Sequence, residues 1–303
     1  MKVLVIGGTG LVGVHTAELL RQHGHDVAIG GRHPAEEVSP VADLPFVAGD
    51  YTRGDFDVAA LTGYDAVVFA AGSDVRHIGP DDDALSSDYW ARQQAASVPA
   101  VASAAKRAGV HRFVQIGSCY HVVRPDLAAV NPYVQARRDA DERARALASD
   151  DFVAVTLNPP PIVGSIPGVS QRRFAKMVAW ARGELDDRFP GLVAPPGGTN
   201  YLSVRSLAEA VEGALLHGEP GAAYLVGDQN LTYAEYFQAI VDLAGGSGRV
   251  EVVDAEHPFL PDRMIVPGRG AMLSFEPPEE EVRVLGYRRD DVVPMLAAMI
   301  AAS

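Results

Sequence analysis

Hydrophobic positions along this chain alternate between short continuous runs and segments with helical spacing. The first run, Lys2–Ile6, leads into a glycine-rich turn, after which Val12, Leu19 and Leu20 mark one apolar face of a helix. Short continuous apolar runs are typical of parallel strands that are buried on both faces. Similar runs predict further strands at 26–29, 45–48, 66–72, 113–117 and 152–157.

Helical segments separate these runs, and the pattern predicts helices over about 88–108 and 132–148. Pro132 suits a first helical position, because the amide hydrogen that proline lacks would be unpaired there in any case. Strands that alternate with helices at this spacing predict a doubly wound α/β fold, with a parallel sheet and helices on both of its faces.

The pattern changes after Pro159, where proline and glycine cluster at 158–168, 190–198 and 258–278. The helices expected between these clusters lie near 170–182, 206–217 and 232–244.

We therefore divide the chain into a sheet domain at 1–160 and a region at 161–303 that mostly forms a small lobe for the substrate. The lobe is expected to lie over the carboxyl edge of the sheet. Strands near 200–205 and 223–227 are expected to join the main sheet, and Asp81–Asp83 are expected in a loop.

The glycine-rich turn stands between a predicted strand and a predicted helix. In this position glycines allow a tight turn and let backbone amides approach a pyrophosphate at the helix N-terminus. The spacing is G-x-x-G-x-x-G, which differs from the commoner G-x-G-x-x-G. The turn therefore predicts a dinucleotide site in a Rossmann-type fold, with cofactor contacts from Gly7, Thr9, Gly10, Leu11, Val12 and Gly13.

Composition narrows the functional classes. The net charge is −13 with no visible basic patch, so we expect no nucleic-acid partner. No apolar run reaches the roughly 18 residues of a membrane span, and the strand from Lys2 leaves no room for a signal peptide, so we expect a cytoplasmic protein. Cys119 is the only cysteine, and no His, Asp or Glu cluster has metal-ligand spacing, so no metal is expected.

Further landmarks follow the glycine turn in a fixed order: Gly49-Asp50, Phe69–Gly72, Ser118, Tyr133, Asn158–Gly164, Asn200–Val204, Gly221–Gly227 and Leu285–Tyr287. In order and spacing the chain resembles the extended short-chain dehydrogenase/reductase superfamily, the group that contains the NAD-dependent epimerases and dehydratases. The stretch Val155–Pro159 resembles the dihydroflavonol-reductase side of that superfamily, because many sugar-nucleotide members have an arginine where Asn158 stands.

The resemblance implies a catalytic group made of Ser118, Tyr133 and the residue four positions after the tyrosine. In the family that residue is a lysine, but here it is Arg137. Three interpretations stay open: an active enzyme in which Arg137 replaces the lysine, a nucleotide-binding protein with impaired catalysis, and an ordinary i,i+4 helix pair. Tyr120 follows the predicted strand too closely to lie on the next helix, so we interpret it as a substrate-pocket residue. His121 is a further candidate to face the substrate.

The cofactor choice depends on the end of the second strand. NAD sites often place an acidic residue there, whereas this chain has Gly30-Gly31 followed by Arg32, whose guanidinium suits a 2′-phosphate. We therefore predict NADP(H) in preference to NAD(H). Asp50 is either an adenine contact or a turn cap. The resemblance also assigns to the cofactor site Ala70, Ala71, Gly72, Asn158 and Pro159.

These features predict an NADP(H)-dependent oxidoreductase that interconverts a carbonyl and an alcohol on a small organic molecule. The alternatives are a nucleotide-sugar epimerase or dehydratase, with Arg172, Arg173 and Arg269 on a diphosphate, and an NADP-binding regulatory protein. The resemblance implies that the helices at 88–108 and 132–148 could form a homodimer. The aromatic residues expected in the substrate lobe are Phe174, Trp180, Phe189 and Phe259.

Overall fold

The computed structural model describes residues 1–72, 86–185, 187, 189 and 191–303. Asp81–Asp83, expected in a loop, lie outside these residues. The strands are β1 (Lys2–Ile6), β2 (Asp26–Gly31), β3 (Phe46–Ala48), β4 (Ala66–Phe69), β5 (Arg112–Ile116), β6 (Val153–Asn158), β7 (Ile162–Val163), β8 (Val193–Ala194), β9 (Gly198–Ser203), β10 (Ala223–Leu225), β11 (Gln229–Thr232), β12 (Glu251–Val252) and β13 (Met272–Leu273).

The helices are α1 (Leu11–Gln22), α2 (Val58–Leu61), α3 (Ser87–Trp90), α4 (Ser97–Arg107), α5 (Tyr120–Val123), α6 (Pro132–Arg145), α7 (Arg172–Ala181), α8 (Val204–His217), α9 (Tyr233–Ala244), α10 (Glu279–Leu285) and α11 (Val292–Ala301).

The main sheet has seven strands in the order β10-β6-β5-β4-β1-β2-β3, and every neighbouring pair is parallel. Both faces are covered. In β1, Val3 and Val5 pack with α1 and α8 on one face, while Leu4 and Ile6 pack with α4 and α6 on the other. Burial on both faces explains why the strands read as continuous apolar runs. The predicted α/β fold is confirmed.

The helix predicted over 88–108 is irregular. It begins as α3, continues through a π-helical segment at Ala91–Ala96 and ends as α4. Helix α6 begins at Pro132 as predicted, with the Asn131 side chain accepting hydrogen bonds from two amides of the first turn, and it ends at Arg145. The irregular segment lies beside α6.

The strand predicted near 200–205 forms as β9, but its assignment to the main sheet is wrong. It belongs to a separate sheet in which β9 lies between β11 and β13 and also pairs with β7. The position beside β6 is taken by β10, which covers Thr156–Asn158 in parallel register. The predicted main-sheet strand near 223–227 is therefore confirmed over Ala223–Leu225.

The separate sheet packs with α7, α9 and α11 around an aromatic cluster. His257 lies inside this cluster, with its ring centroid 4.3 Å from that of Phe237 and 5.3 Å from that of Trp180. Its Nδ1 accepts a hydrogen bond from the Phe259 amide at 3.2 Å, so the ring proton is on Nε2, which is buried without a partner in the described residues. Burial lowers the pKa of His257 to about 4.

This buried imidazole should make stability depend on pH. The unfolded chain gains a proton at His257 as the pH falls below about 6.5, whereas the folded chain resists protonation until about pH 4. The stabilisation is therefore complete above about pH 6.5 and is lost progressively below it. We expect His257→Phe to reduce the loss in unfolding free energy between about pH 7.5 and 5.5, measured by urea denaturation.

His217→Gln is the matched control, because His217 is an exposed histidine at the end of α8. A variant His257→Phe that loses as much stability on acidification as the wild type would contradict the assignment.

Candidate functional site

A cleft of about 960 Å³ opens at the carboxyl edge of the main sheet. One wall is formed by the turns that follow β1, β2, β4 and β5, and the other by the segment after β6 together with residues of α7, β9 and α9. Ligands of doubly wound folds bind at this edge, because the strand ends and helix N-termini converge there.

The glycine turn forms one end of the cleft. Gly7 has φ +84°, and a Cβ at this position would come within 2.5 Å of the Ala71 amide nitrogen. A Cβ on Gly13 would collide with the Gly7 carbonyl oxygen, so α1 can pack this closely only through glycine. Gly10 caps α1 without a side-chain hydrogen bond, which leaves the first amides of the helix for a ligand. The turn therefore fits the pyrophosphate of a dinucleotide.

Most of the predicted cofactor residues line the cleft: Gly7, Thr9, Gly10, Leu11, Val12, Arg32, Asp50, Ala70, Ala71, Gly72 and Pro159. Gly13 and Asn158 lie behind this lining. The role of Gly13 is the close packing of α1, and Asn158 is fully buried, with its Oδ1 accepting a hydrogen bond from the Ser118 amide at 3.0 Å.

The end of β2 carries the group that could distinguish the two dinucleotides. Arg32 is exposed and lines the cleft directly after Gly31. A Cβ on Gly31 would meet only ordinary contacts, the nearest being Thr9 Oγ1 at 3.8 Å, so a side chain would fit there. Position 31 therefore has room for a side chain, so glycine in place of an acidic residue there is not a steric requirement.

Asp50 acts as a turn cap. Its Oδ1 accepts hydrogen bonds from the Thr52 amide at 2.9 Å and the Thr52 hydroxyl at 2.7 Å. The hydrogen bond from the Thr52 hydroxyl lowers the pKa of Asp50, and the nearby charge of Arg32 contributes in the same direction. Asp50 also lines the cleft, so the capping role does not displace it from the site.

Ser118 stands at the end of β5, where it lines the cleft while being 5% exposed. Its amide is held by Asn158, and the next amide, Cys119 N, donates to the Pro159 carbonyl at 3.0 Å. The ends of β5 and β6 are therefore locked together. This bracing fixes the backbone position at which Ser118 lines the cleft.

Tyr133 lies in the first turn of α6. Its amide donates to Asn131 Oδ1 at 3.0 Å, and its ring packs edge-on against Trp90, with 4.8 Å between the ring centroids. Tyr133 lines the cleft together with Ser118. The N-terminal cap and the indole thus hold Tyr133 in place at the cleft that Ser118 also lines.

Arg137 lies one turn after Tyr133 and is 9% exposed. Its Nη2 donates to the carbonyl oxygens of Ile116 and Gly117, and its Nη1 donates to Gln94 Oε1 at 3.3 Å. Its Nε is buried and has no partner among the described residues. The guanidinium therefore joins α6 to the strand end that carries Ser118.

The two residues after Cys119 differ from their predicted placement. Tyr120 lines the cleft, but it begins the short helix α5, so the expectation that no helix follows so closely was wrong. His121 points away from the cleft, with Nε2 3.0 Å from Asp141 Oδ2. Burial opposes ionisation of Asp141, but the bonds from His121 and Arg145 outweigh it and lower its pKa to about 2.

The far half of the cleft contains residues that sequence reasoning missed. They are Tyr201 of β9, Tyr233 and Tyr236 of α9, and Met177 of α7. Among the predicted aromatic residues, Phe259 lines this half, whereas Phe174 and Trp180 are core residues. The elements that supply the tyrosines are far apart in sequence. Tyr201 lies in the Asn200–Val204 motif, but that motif did not indicate a place in the cleft, and no motif marked Tyr233 or Tyr236.

The three arginines proposed for a diphosphate do not converge. Arg173 lines the cleft, and its Nη2 donates to the Phe259 carbonyl at 2.6 Å. Arg269 pairs with Asp254 and Asp262 instead. Arg172 is exposed outside the lining.

The described ranges contain no group of three or more His, Cys, Asp or Glu side chains that could hold a metal ion. Within the same ranges, no helix has the length and apolar character needed to cross a membrane.

A comparison with family models gives a match over most of the chain. Residues 3–227 match the family model described as the NAD dependent epimerase/dehydratase family. No curated protein matches the chain.

Similar solved structures share the whole fold at low identity. A putative epimerase from Burkholderia cenocepacia has 17% identity and a TM-score of 0.73, covering 99% of this chain and 97% of its own. WbmH from Bordetella bronchiseptica, in complex with NAD+, has 19% identity and a TM-score of 0.69, covering 99% and 97%. UDP-glucose-4-epimerase from Stenotrophomonas maltophila, with bound NAD and formylated UDP-arabinopyranose, has 20% identity and a TM-score of 0.73, covering 100% of both chains.

The glycine geometry gives a direct test of the packing that forms the turn. Gly13→Ala should cost about 1–3 kcal/mol of unfolding free energy, because the new methyl group would meet the Gly7 carbonyl. Gly31→Ala is the matched control, and there we expect a change within about 0.5 kcal/mol because the site has room. Equal effects in urea denaturation would contradict the close approach at Gly13.

Proposed function

The chain belongs to the NAD dependent epimerase/dehydratase family, and from that premise we propose that it is an NADP(H)-dependent oxidoreductase. The proposed reaction interconverts a carbonyl and an alcohol on a small organic molecule. One observation carries the proposal: Ser118, Tyr133 and Arg137 line the same cleft as the glycine turn. Family membership supports a nicotinamide dinucleotide as the cofactor, and the preference for the phosphorylated form is our own inference from Arg32.

The chain offers a set of groups that would hold such a dinucleotide. The free amides at the start of α1 suit the pyrophosphate, and the Arg32 guanidinium suits a 2′-phosphate. When bound, the nicotinamide supplies or accepts the hydride.

The protein residues then have distinct roles in the reducing direction. The Ser118 hydroxyl holds the substrate oxygen by a hydrogen bond, and the Tyr133 hydroxyl donates the proton to it. A free phenol has a pKa of about 10, so a nearby positive charge helps Tyr133 to give up its proton near neutral pH. Arg137 supplies that charge as a permanent cation, and it does not relay protons because arginine stays protonated in proteins.

A nucleotide-sugar epimerase or dehydratase is the second candidate. It is favoured by the UDP-arabinopyranose derivative bound to the Stenotrophomonas maltophila protein. In the described part of this chain, Arg173 is the one arginine of the three expected on a diphosphate that lines the cleft. A dinucleotide-binding protein without turnover is the third candidate, motivated by Arg137 in place of lysine.

The cofactor preference can be measured by titration calorimetry with NADPH and NADH. We expect tighter binding of NADPH, and Arg32→Ala should weaken it by about tenfold or more, because a charged hydrogen bond is lost. NADH affinity should change little. Arg53→Ala is the control, since Arg53 is exposed close to Asp50 but does not line the cleft. Equal affinity of the wild-type protein for the two cofactors would refute the preference.

The catalytic assignment can be tested with an aldehyde and ketone panel and NADPH oxidation. Tyr133→Phe should lower turnover by about 10²- to 10⁴-fold while leaving the affinity for NADPH unchanged, because only the proton donor is removed. Tyr64→Phe is the control for loss of a hydroxyl, as Tyr64 lies outside the cleft. Wild-type turnover in Tyr133→Phe would eliminate the proposed role, whereas NADPH binding without any oxidation would favour the regulatory protein.

A further inference from the structure

The far half of the cleft has a composition unlike that of the dinucleotide end. It is lined by tyrosines and apolar side chains: Tyr201, Tyr233, Tyr236, Phe259, Met177 and Met264. The roles proposed above for Ser118, Tyr133 and Arg137 do not involve these residues. Their chemistry therefore bears on which substrate is accepted.

Tyr201 and Tyr236 form a flat, stacked pair. Their ring centroids are 4.5 Å apart and their planes differ by 7°. Tyr236 is held in turn by Phe237, whose ring centroid is 5.8 Å away at a steep angle. The stacked tyrosines thus form a rigid aromatic wall in the far half of the cleft.

The start of α9 fixes two of the tyrosines. The Thr232 hydroxyl caps the Glu235 amide, and the Glu235 carboxylate accepts from the Thr232 amide at 2.7 Å. This capping box orders the first turn of α9, which carries Tyr233 and Tyr236. The phenols are therefore presented in fixed positions.

The phenols of this wall stay neutral. Burial raises the pKa of Tyr233 and of Tyr236 to about 12. Burial also raises the pKa of Tyr201 well above its ordinary value, and the neighbouring phenols of Tyr236, Tyr233 and Tyr120 raise it further. The wall therefore offers hydroxyl groups without negative charge.

Within the described lining, the far half has a single charged side chain, Arg173. One of its nitrogens is already engaged by the Phe259 carbonyl at 2.6 Å. A nucleotide diphosphate carries at least two negative charges, which proteins normally bind with several cations or backbone amides. An aromatic wall with neutral hydroxyls suits an uncharged ring instead, through stacking and hydrogen bonds at its edge.

We infer that the substrate is an uncharged, planar aromatic carbonyl compound or the corresponding alcohol, and that Tyr236, supported face to face by Tyr201, determines this specificity by stacking. The inference rests on the proposed oxidoreductase function for the chemistry. It concerns binding in the far half of the cleft, so it can be tested without turnover.

The test is titration calorimetry with 2-naphthalenemethanol as the probe on the full chain, which is saturated beforehand with NADPH. The alcohol cannot react with the reduced cofactor, so the heat reports binding alone. Matched probes are cyclohexylmethanol, which is not planar, 4-carboxybenzyl alcohol, which is charged, and UDP-glucose. We expect the naphthalene probe to bind at least about tenfold more tightly than each of the others. Tighter binding of UDP-glucose or of cyclohexylmethanol would overturn the inference.

Two substitutions separate stacking from folding defects. Tyr236→Leu removes the ring and should weaken binding of the naphthalene probe by about tenfold, whereas Tyr236→Phe keeps the ring and should stay within about twofold of the wild type. Tyr64→Phe is the control outside the cleft. An equal loss in both Tyr236 variants, or no loss in either, would contradict stacking.

Failure of the inference differs from failure of the proposed function. Tight binding of the naphthalene probe with no oxidation of it by NADP+ would uphold the substrate class and count against the oxidoreductase. Turnover of aliphatic aldehydes only, with weak binding of the probe, would uphold the oxidoreductase and overturn the aromatic specificity.

Discussion

The buried guanidinium of Arg137 is the interaction on which the arrangement of the site depends. A guanidinium carries five donors and keeps its charge, so its burial is tolerated only where acceptors surround it. Here the acceptors are the carbonyl of Ile116, the last residue of β5, the carbonyl of Gly117 that follows it, and the side chain of Gln94. One side chain thus connects α6, β5 and the irregular segment before α4. The three candidate catalytic residues keep their mutual positions through this connection.

The two ends of the cleft differ in the kind of interaction they offer to a ligand. At the proposed dinucleotide end, glycines bring backbone amides to the surface, and Arg32 lines the cleft beside them. At the far end, stacked rings and neutral phenols replace charge. A ligand with a charged half and an uncharged half would be oriented by this contrast, because reversing it would place phosphates against the aromatic wall at a large desolvation cost.

Features encoded by short, contiguous patterns could be predicted from the sequence. The turn at Gly7–Gly13 and the start of α6 at Pro132 depend on neighbours within a few residues, and both formed as expected. The placement of β9 could not be predicted in the same way, since β10 competes for the position beside β6 and that competition is decided by tertiary packing. Sequence order alone does not rank two such strands.

The same limit applies within the site. His121 follows Ser118 closely in sequence, yet it turns towards Asp141 because that buried carboxylate requires donors. The tyrosines of the far wall come from β9 and α9, whose approach depends on a sheet that the sequence pattern did not reveal. The family resemblance pointed to the candidate catalytic group, whereas the wall opposite it is a product of the tertiary fold.

The π-helical segment at Ala91–Ala96 determines how α3 is rotated about the helix axis relative to α4. A helix turns by about 100° per residue, so a single deletion in this segment would rotate α3 by that angle relative to α4. Trp90 would then leave the edge of the Tyr133 ring. The number of residues in this segment is therefore constrained, because an insertion or deletion there would disturb a contact of the candidate site.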